Sequence, residues 1–189
     1  MKEGFNYCWP TPVFTGIISD KALLEKTCNY ILSNFGDEIK IKSNLINDNI
    51  LENKNLLEFK DNVIIPAFDE FYKKEFELSL KEKKYHLKAW ITGQGFSHFM
   101  PSHNHSGSQL SAIFYLICEE NDRGGELILQ DPRFNANRGY KEEYNNWFNN
   151  EIIKPKTGQF IIFPSFLYHN VKTFYGKIRL AMPVDLILY

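Results

Sequence analysis

From Tyr85 onward the chain is a succession of short apolar segments separated by glycines. The segments are 86–92, 109–117, 125–130, 159–163, 166–173 and 177–188, and the turns between them carry Gly93, Gly95, Gly107, Gly124, Gly125, Gly139, Gly158 and Gly176. No run here is long enough and regular enough for a helix. Many short strands with glycine-rich turns fold as an antiparallel sandwich or barrel. Composition agrees: 16 Phe and 10 Tyr bring the aromatic share to 15%, and aromatic rings fit a pleated, half-buried surface. Pro183 inside the last segment predicts a local edge or bulge, because proline cannot donate to a ladder. Residues 132–151 form a polar insertion holding Phe134, Tyr140, Tyr144, Trp147 and Phe148. Its length predicts a loop or short helix at the barrel mouth, with aromatics facing the site.

Residues 1–84 have a different character. Asp20 is placed to cap a helix that runs to about Phe35, with Gly36 as its stop. Residues 37–54 are polar and irregular. A second helical pattern covers 56–76, and Pro66 inside it predicts a kink or a split. The chain is therefore expected to be one domain over residues 1–189, with a helical part at 1–84 and a β core at 85–189, mostly β with flanking α. The helices are expected to pack on one sheet. The 22 Lys and Arg nearly balance the 23 Asp and Glu, which argues against a nucleic-acid partner, since phosphate binding needs clustered positive charge. No apolar run reaches the ~20 residues of a membrane span, and the first residues lack a signal-peptide pattern. Three widely spaced cysteines, Cys8, Cys28 and Cys118, read as reduced thiols and point to a cytoplasmic protein.

All five histidines lie in the β part: His86, His98, His103, His105 and His169. His103 and His105 form an HxH pair. Residues i and i+2 of an extended strand face the same side, so both rings can converge on one point. Neutral imidazole is the commonest transition-metal ligand. A third ligand has to come from elsewhere, and His169, at the end of the apolar run QFIIFPSFLYH, is the best placed. Arg179 follows ten positions later between Ile178 and Leu180. A charge within an apolar strand is costly unless paired. Two partners satisfy that demand: an internal carboxylate, or the carboxylate of a ligand held bidentately by the guanidinium.

In order and spacing, HxH, the apolar strand ending in FYL, GGELILQDPR, GxxIIFPSxLxH and an arginine at ten residues resemble the iron(II)- and 2-oxoglutarate-dependent oxygenases. The likeness covers roughly residues 88–188. It is greatest to the 2OG-Fe(II) oxygenase group found in bacteria and marine phages, which implies the cytoplasm of a bacterium or of a phage-infected host. The resemblance implies a double-stranded β-helix, a cupin-like jelly roll. It implies Fe(II) held by His103, His105 and His169, and 2-oxoglutarate bound as small-molecule cosubstrate by Arg179 with help from the Tyr115 hydroxyl. The implied reaction is hydroxylation of a substrate C–H with release of succinate and CO2.

Two positions depart from the family pattern. His105 stands where the family usually has Asp, and Ala181 stands where a hydroxyl residue usually follows the arginine. Asp131 is the alternative direct ligand, although a role beside Arg133 or a histidine N–H suits it better. Three histidines also suit a cupin-like metalloenzyme that works without 2-oxoglutarate, whether dioxygenase, isomerase or zinc hydrolase. A jelly-roll module with no enzymatic role is the remaining class. The helical half offers a surface for a homodimer.

Overall fold

The structure is a computed structural model and describes residues 10–42, 45–46, 49–119, 123–133 and 150–189. Two antiparallel sheets face each other. The larger has seven strands, β1 (Phe14–Ile17), β9 (Gln159–Pro164), β6 (Leu110–Ile117), β11 (Arg179–Leu188), β4 (Ile91–Gln94) and β2 (Leu45–Ile46) in that order, with β3 (Tyr85–Ala89) pairing further along β11. The smaller has the order β5 (Met100–His103), β10 (His169–Val171), β7 (Leu127–Leu129) and β8 (Glu151–Ile153). This is the expected jelly-roll architecture.

The period-2 geometry of the central strands organises the rest. On β6, Leu110, Ala112, Phe114 and Leu116 join one core, and so do Leu180, Met182, Val184 and Leu186 of β11. That core lies against the helices and also contains Ile31, Phe59, Ile64 and Phe68. The ring of Phe59 meets Phe114 edge-on at 6.1 Å between centroids. The odd-numbered residues Ile113, Tyr115, Ile161, Phe163 and Ala181 enter a second core with Leu127 and Leu129 of the small sheet. Strands covered on both faces read as unbroken apolar runs, which is how they look in the sequence. A fully buried Leu, Ile or Phe contributes about 1.5–3 kcal/mol. The same alternation fixes function: residues 111, 113, 115, 179, 181, 183 and 185 must all look into the space between the sheets.

The helical half follows its caps with one exception. Helix α1 (Lys21–Lys42) begins where the Leu23 N–H donates to the Asp20 carboxylate at 2.8 Å. It does not stop at Gly36 but runs six residues past it. A mid-helix glycine costs only about 1 kcal/mol, which cooperative propagation tolerates. The second pattern is split as expected. A short helix α2 (Leu57–Phe59) leads into a π-helical stretch (Lys60–Ile64) and then α3 (Ile65–Phe76), whose first turn holds Pro66. Proline removes one donor and crowds the carbonyl four residues back, and the wider π turn relieves both. No helix among the described residues is long and apolar enough to cross a membrane.

Pro183 lies on a central strand, not an edge. It pairs with Ile113 of β6 on one side. On its other side β11 changes partner, from β4 at Ala181 to β3 at Val184, and the Trp90 N–H between those two strands donates to the Pro183 carbonyl at 3.2 Å. The missing N–H therefore falls where the neighbouring strand is already interrupted. The insertion 132–151 lies largely outside the described residues.

Candidate metal centre

His103 ends β5 and His169 begins β10, and the two are direct partners in the small sheet. His105 comes two residues after His103, in the turn that leads to the large sheet, where its backbone N–H donates to the Ser165 carbonyl at 3.1 Å. The HxH pair thus bridges the two sheets at one end. The three rings are 4.3–5.3 Å apart between centroids. Each offers a ring nitrogen, and these nitrogens all lie within 4.8 Å of one another. His86 is exposed on β3 and His98 sits in the turn after β4; neither joins the group.

Hydrogen bonds set the tautomers. His103 Nδ1 faces the Pro101 carbonyl at 2.8 Å and His169 Nδ1 faces the Leu167 carbonyl at 3.0 Å. A carbonyl only accepts, so both Nδ1 atoms carry hydrogen and both Nε2 lone pairs are left for a metal. His105 Nδ1 meets the Asp185 carboxylate at 2.7 Å, which puts its Nε2 in the same state. His169 is 3% exposed. Burial, with smaller effects from the neighbouring rings, pushes its pKa down to about 4. It is neutral at pH 7 and ready to donate a lone pair.

A cavity of about 590 Å³ opens from these rings. Its walls include Trp90, Thr92, Gln94, Ile113, Tyr115, Arg179, Ala181, Pro183 and Asp185 as well as the three histidines. Arg179 begins β11 and is 5% exposed. Among the described residues it makes no ion pair; its guanidinium donates to the Gly125 carbonyl and lies 5.6 Å from the Tyr115 ring and 5.9 Å from the Phe174 ring. Gly125 has φ +73°, and a Cβ there would come within 2.6 Å of Arg179 Nη1. A glycine is needed both for the backbone and for the space. The Tyr115 hydroxyl and Gln94 Oε1 are buried with no hydrogen-bond partner among the described residues. Gln94 stands directly opposite Arg179 across β4 and β11. Burial pushes the Tyr115 phenol well above its ordinary range, so it stays a donor. A buried cation and an unpartnered phenol donor in one cavity fit a ligand carboxylate; the Gln94 oxygen, an acceptor, does not add to that fit.

Asp131 does not join the three-histidine group. Its carboxylate holds Arg133 at 2.5 and 2.9 Å, which lowers its pKa. Sequence reasoning missed Asp185, Ser111, Ser165 and Gln94. The rule that singled out Arg179, a charge inside an apolar strand, applies equally to Asp185 in PVDLIL.

Two facing antiparallel sheets with a three-histidine pocket between them define a double-stranded β-helix built to hold a metal. A family model described as "Putative 2OG-Fe(II) oxygenase" matches residues 88–185, just over half of the chain. The chain belongs to that family of oxidoreductases, whose cofactors are Fe(II) and 2-oxoglutarate. No curated protein matches the sequence.

Among solved structures, a 2OG-Fe(II) oxygenase family oxidoreductase from Burkholderia pseudomallei is 14% identical with a TM-score of 0.52. The match covers 71% of this chain but only 57% of that one. A prolyl hydroxylase from Trichoplax adhaerens, in complex with a hypoxia inducible factor oxygen degradation domain peptide fragment, is 12% identical, with 93% and 83% coverage and a TM-score of 0.64. HygX from Streptomyces hygroscopicus, with nickel and 2-oxoglutarate bound, is 10% identical, with 93% and 82% coverage and a TM-score of 0.62. At these identities the likeness is one of fold.

Proposed function

We propose that this chain is an Fe(II)- and 2-oxoglutarate-dependent dioxygenase that hydroxylates a substrate C–H and releases succinate and CO2. In this reading residues 1–189 act as one cytoplasmic domain. His103, His105 and His169 hold the metal through Nε2. Arg179 and Tyr115 take the distal carboxylate of 2-oxoglutarate. The observation that carries the reading is the meeting, in one cavity, of three tautomer-fixed histidines with a buried arginine that has no counter-ion among the described residues.

The residues fit both groups. Three neutral imidazoles leave a divalent metal its full charge, which suits a dianionic chelating cosubstrate. The Arg179 fork matches a carboxylate in shape and charge, and the orphaned Tyr115 hydroxyl supplies a second donor. Bound iron with 2-oxoglutarate supplies the activation of O₂. The chain itself binds, orients and keeps water from the reacting centre. Apolar walls from Ile113, Ala181 and Pro183 serve that exclusion.

The likeness to HygX, solved with nickel and 2-oxoglutarate bound, supports the cosubstrate. Arg179 with no carboxylate partner among the described residues weighs against a site that works without 2-oxoglutarate. The test is consumption of 2-oxoglutarate under Fe(II) and O₂, measured as succinate formed. Stoichiometric metal binding with no succinate in wild-type protein, and no affinity for 2-oxoglutarate, would move the assignment to the cupin-like class.

A further inference from the structure

Behind His105 lies a chain of hydroxyls that ends on one carboxylate. Asp185 is 9% exposed and Ser111 and Ser165 are each 1% exposed. Ser111 Oγ donates to Asp185 Oδ1 at 2.7 Å. With its hydrogen committed there, Ser111 accepts from Ser165 Oγ at 2.8 Å, and Ser165 in turn accepts from Ser108 Oγ at 3.0 Å. His105 Nδ1 reaches the same Asp185 oxygen at 2.7 Å and also lies 3.0 Å from Ser111 Oγ. The donors therefore run one way, Ser108 to Ser165 to Ser111 to Asp185, and the imidazole N–H completes the set. Such a chain polarises cooperatively toward its acceptor. The alternation of β11 turns Asp185 into the inter-sheet space, yet it is not one of the three converging ligands. It backs His105 rather than replacing it.

We propose that Asp185 is a positioning residue that supplies, through His105, the negative charge that a three-histidine site otherwise lacks. The inference rests on the metal site proposed above. His105 and Asp185 then act as a composite ligand: the carboxylate fixes the Nδ1–H tautomer, aims Nε2 and increases its basicity. Outer-shell partners of this kind are worth about 10–100-fold in metal affinity. A negative charge one imidazole away also favours Fe(III) over Fe(II), so its loss raises the couple's potential. A tenfold larger loss of affinity for Fe(III) than for Fe(II) corresponds to about 59 mV.

The experiment titrates Co(II), followed by its visible absorption, into wild-type, Asp185→Asn, Asp185→Glu and Ser111→Ala protein. It also records the His105 Nδ1–H proton resonance in the Zn(II)-loaded forms. Asp185→Asn keeps an acceptor oxygen but loses the charge. The expected result is Co(II) binding at least about tenfold weaker, partial recovery in Asp185→Glu, a His105 N–H signal moved upfield, and a raised iron potential. Ser111→Ala keeps the Asp185 charge but removes a donor to it, together with the Ser111 contacts to His105 Nδ1 and Ser165, and is expected to move the same signals less. It carries the test if Asp185→Asn does not fold. Co(II) affinity within about twofold of wild type, with the N–H signal unmoved, overturns the proposal while leaving the metal site standing. If wild-type protein itself binds no Co(II) at the three histidines, the site assignment falls and this inference with it.

Discussion

The two ends of the inter-sheet cavity solve opposite problems. At the histidine end every Nδ1 has an acceptor within 3.0 Å: Pro101, Leu167 and Asp185. That end is satisfied internally and presents only lone pairs. At the arginine end the balance is left open. Among the described residues Arg179 has no counter-ion, and the Tyr115 hydroxyl and Gln94 Oε1 have no partners. Burying an unsatisfied polar group costs about 1–3 kcal/mol, so natural cores rarely keep two together with a lone charge. A metal needs a rigid, preset ligand geometry. An exchanging cosubstrate needs donors that are not already taken. The cavity holds one of each within a single strand-to-strand frame.

That contrast is open to mutation, and the largest effect is expected at the satisfied end. His103→Ala removes a ligand and should weaken Co(II) or Mn(II) binding by more than about 100-fold, beyond the range of outer-shell changes. Isothermal titration checks it; near wild-type affinity would mean the three rings do not hold the metal.

Arg179→Ala is next. It should weaken 2-oxoglutarate binding by about 2–5 kcal/mol, the cost of leaving a buried carboxylate unpaired, while metal affinity stays within about twofold. Arg179→Lys should fall between, because it keeps charge and loses the fork. Anaerobic titration of the Fe(II) form, followed by the metal-to-ligand absorption band, separates the two ends. A parallel loss of metal would erase the distinction between them.

A smaller change comes from Gly125→Ala. The new Cβ meets Arg179 Nη1 at 2.6 Å and sits at φ +73°, a backbone region that costs a non-glycine residue about 1–2 kcal/mol. It should lower stability by that amount and weaken 2-oxoglutarate binding, with Co(II) spectra unchanged.

The smallest change has the sharpest sign. Tyr115→Phe should weaken 2-oxoglutarate by about 1.5 kcal/mol, one hydrogen bond to a charged group. It should also raise the melting temperature of the ligand-free protein, because an orphaned buried hydroxyl is gone. A drop in ligand-free stability would show that the hydroxyl has an internal partner.

The strands that carry the site were legible because their burial is two-sided. β6, β9 and β11 appear as apolar runs, and a charge within one of them, Arg179, pointed to the cavity. The HxH pair and a distant histidine are the three rings that group together, but not through strand alternation, because β5 ends at His103 and His105 lies beyond it. β5 was not legible: Met100–His103 reads MPSH, with little strand propensity, and its pairing is imposed by β10, which lies far along the chain. The two-residue β2 and the edge strand β1 owe their state to partners in the same way. Gly36 misled because a stop signal only matters where propagation is already weak. Pro183 misled because the neighbouring strand, not its own, carries the interruption. Asp185 was legible as a second charge in the same apolar strand, but its partner was not, since His105 lies 80 positions away and only the fold brings the two together.

The most direct test of this two-ended cavity is a crystal structure of the protein loaded with Mn(II) and 2-oxoglutarate under anaerobic conditions. The account predicts Mn(II) within about 2.0–2.3 Å of one nitrogen each of His103, His105 and His169, with the distal carboxylate of 2-oxoglutarate on the Arg179 fork and the Tyr115 hydroxyl. Mn(II) bound through Asp131 or away from these rings, or 2-oxoglutarate bound with its distal carboxylate turned away from Arg179, would contradict it.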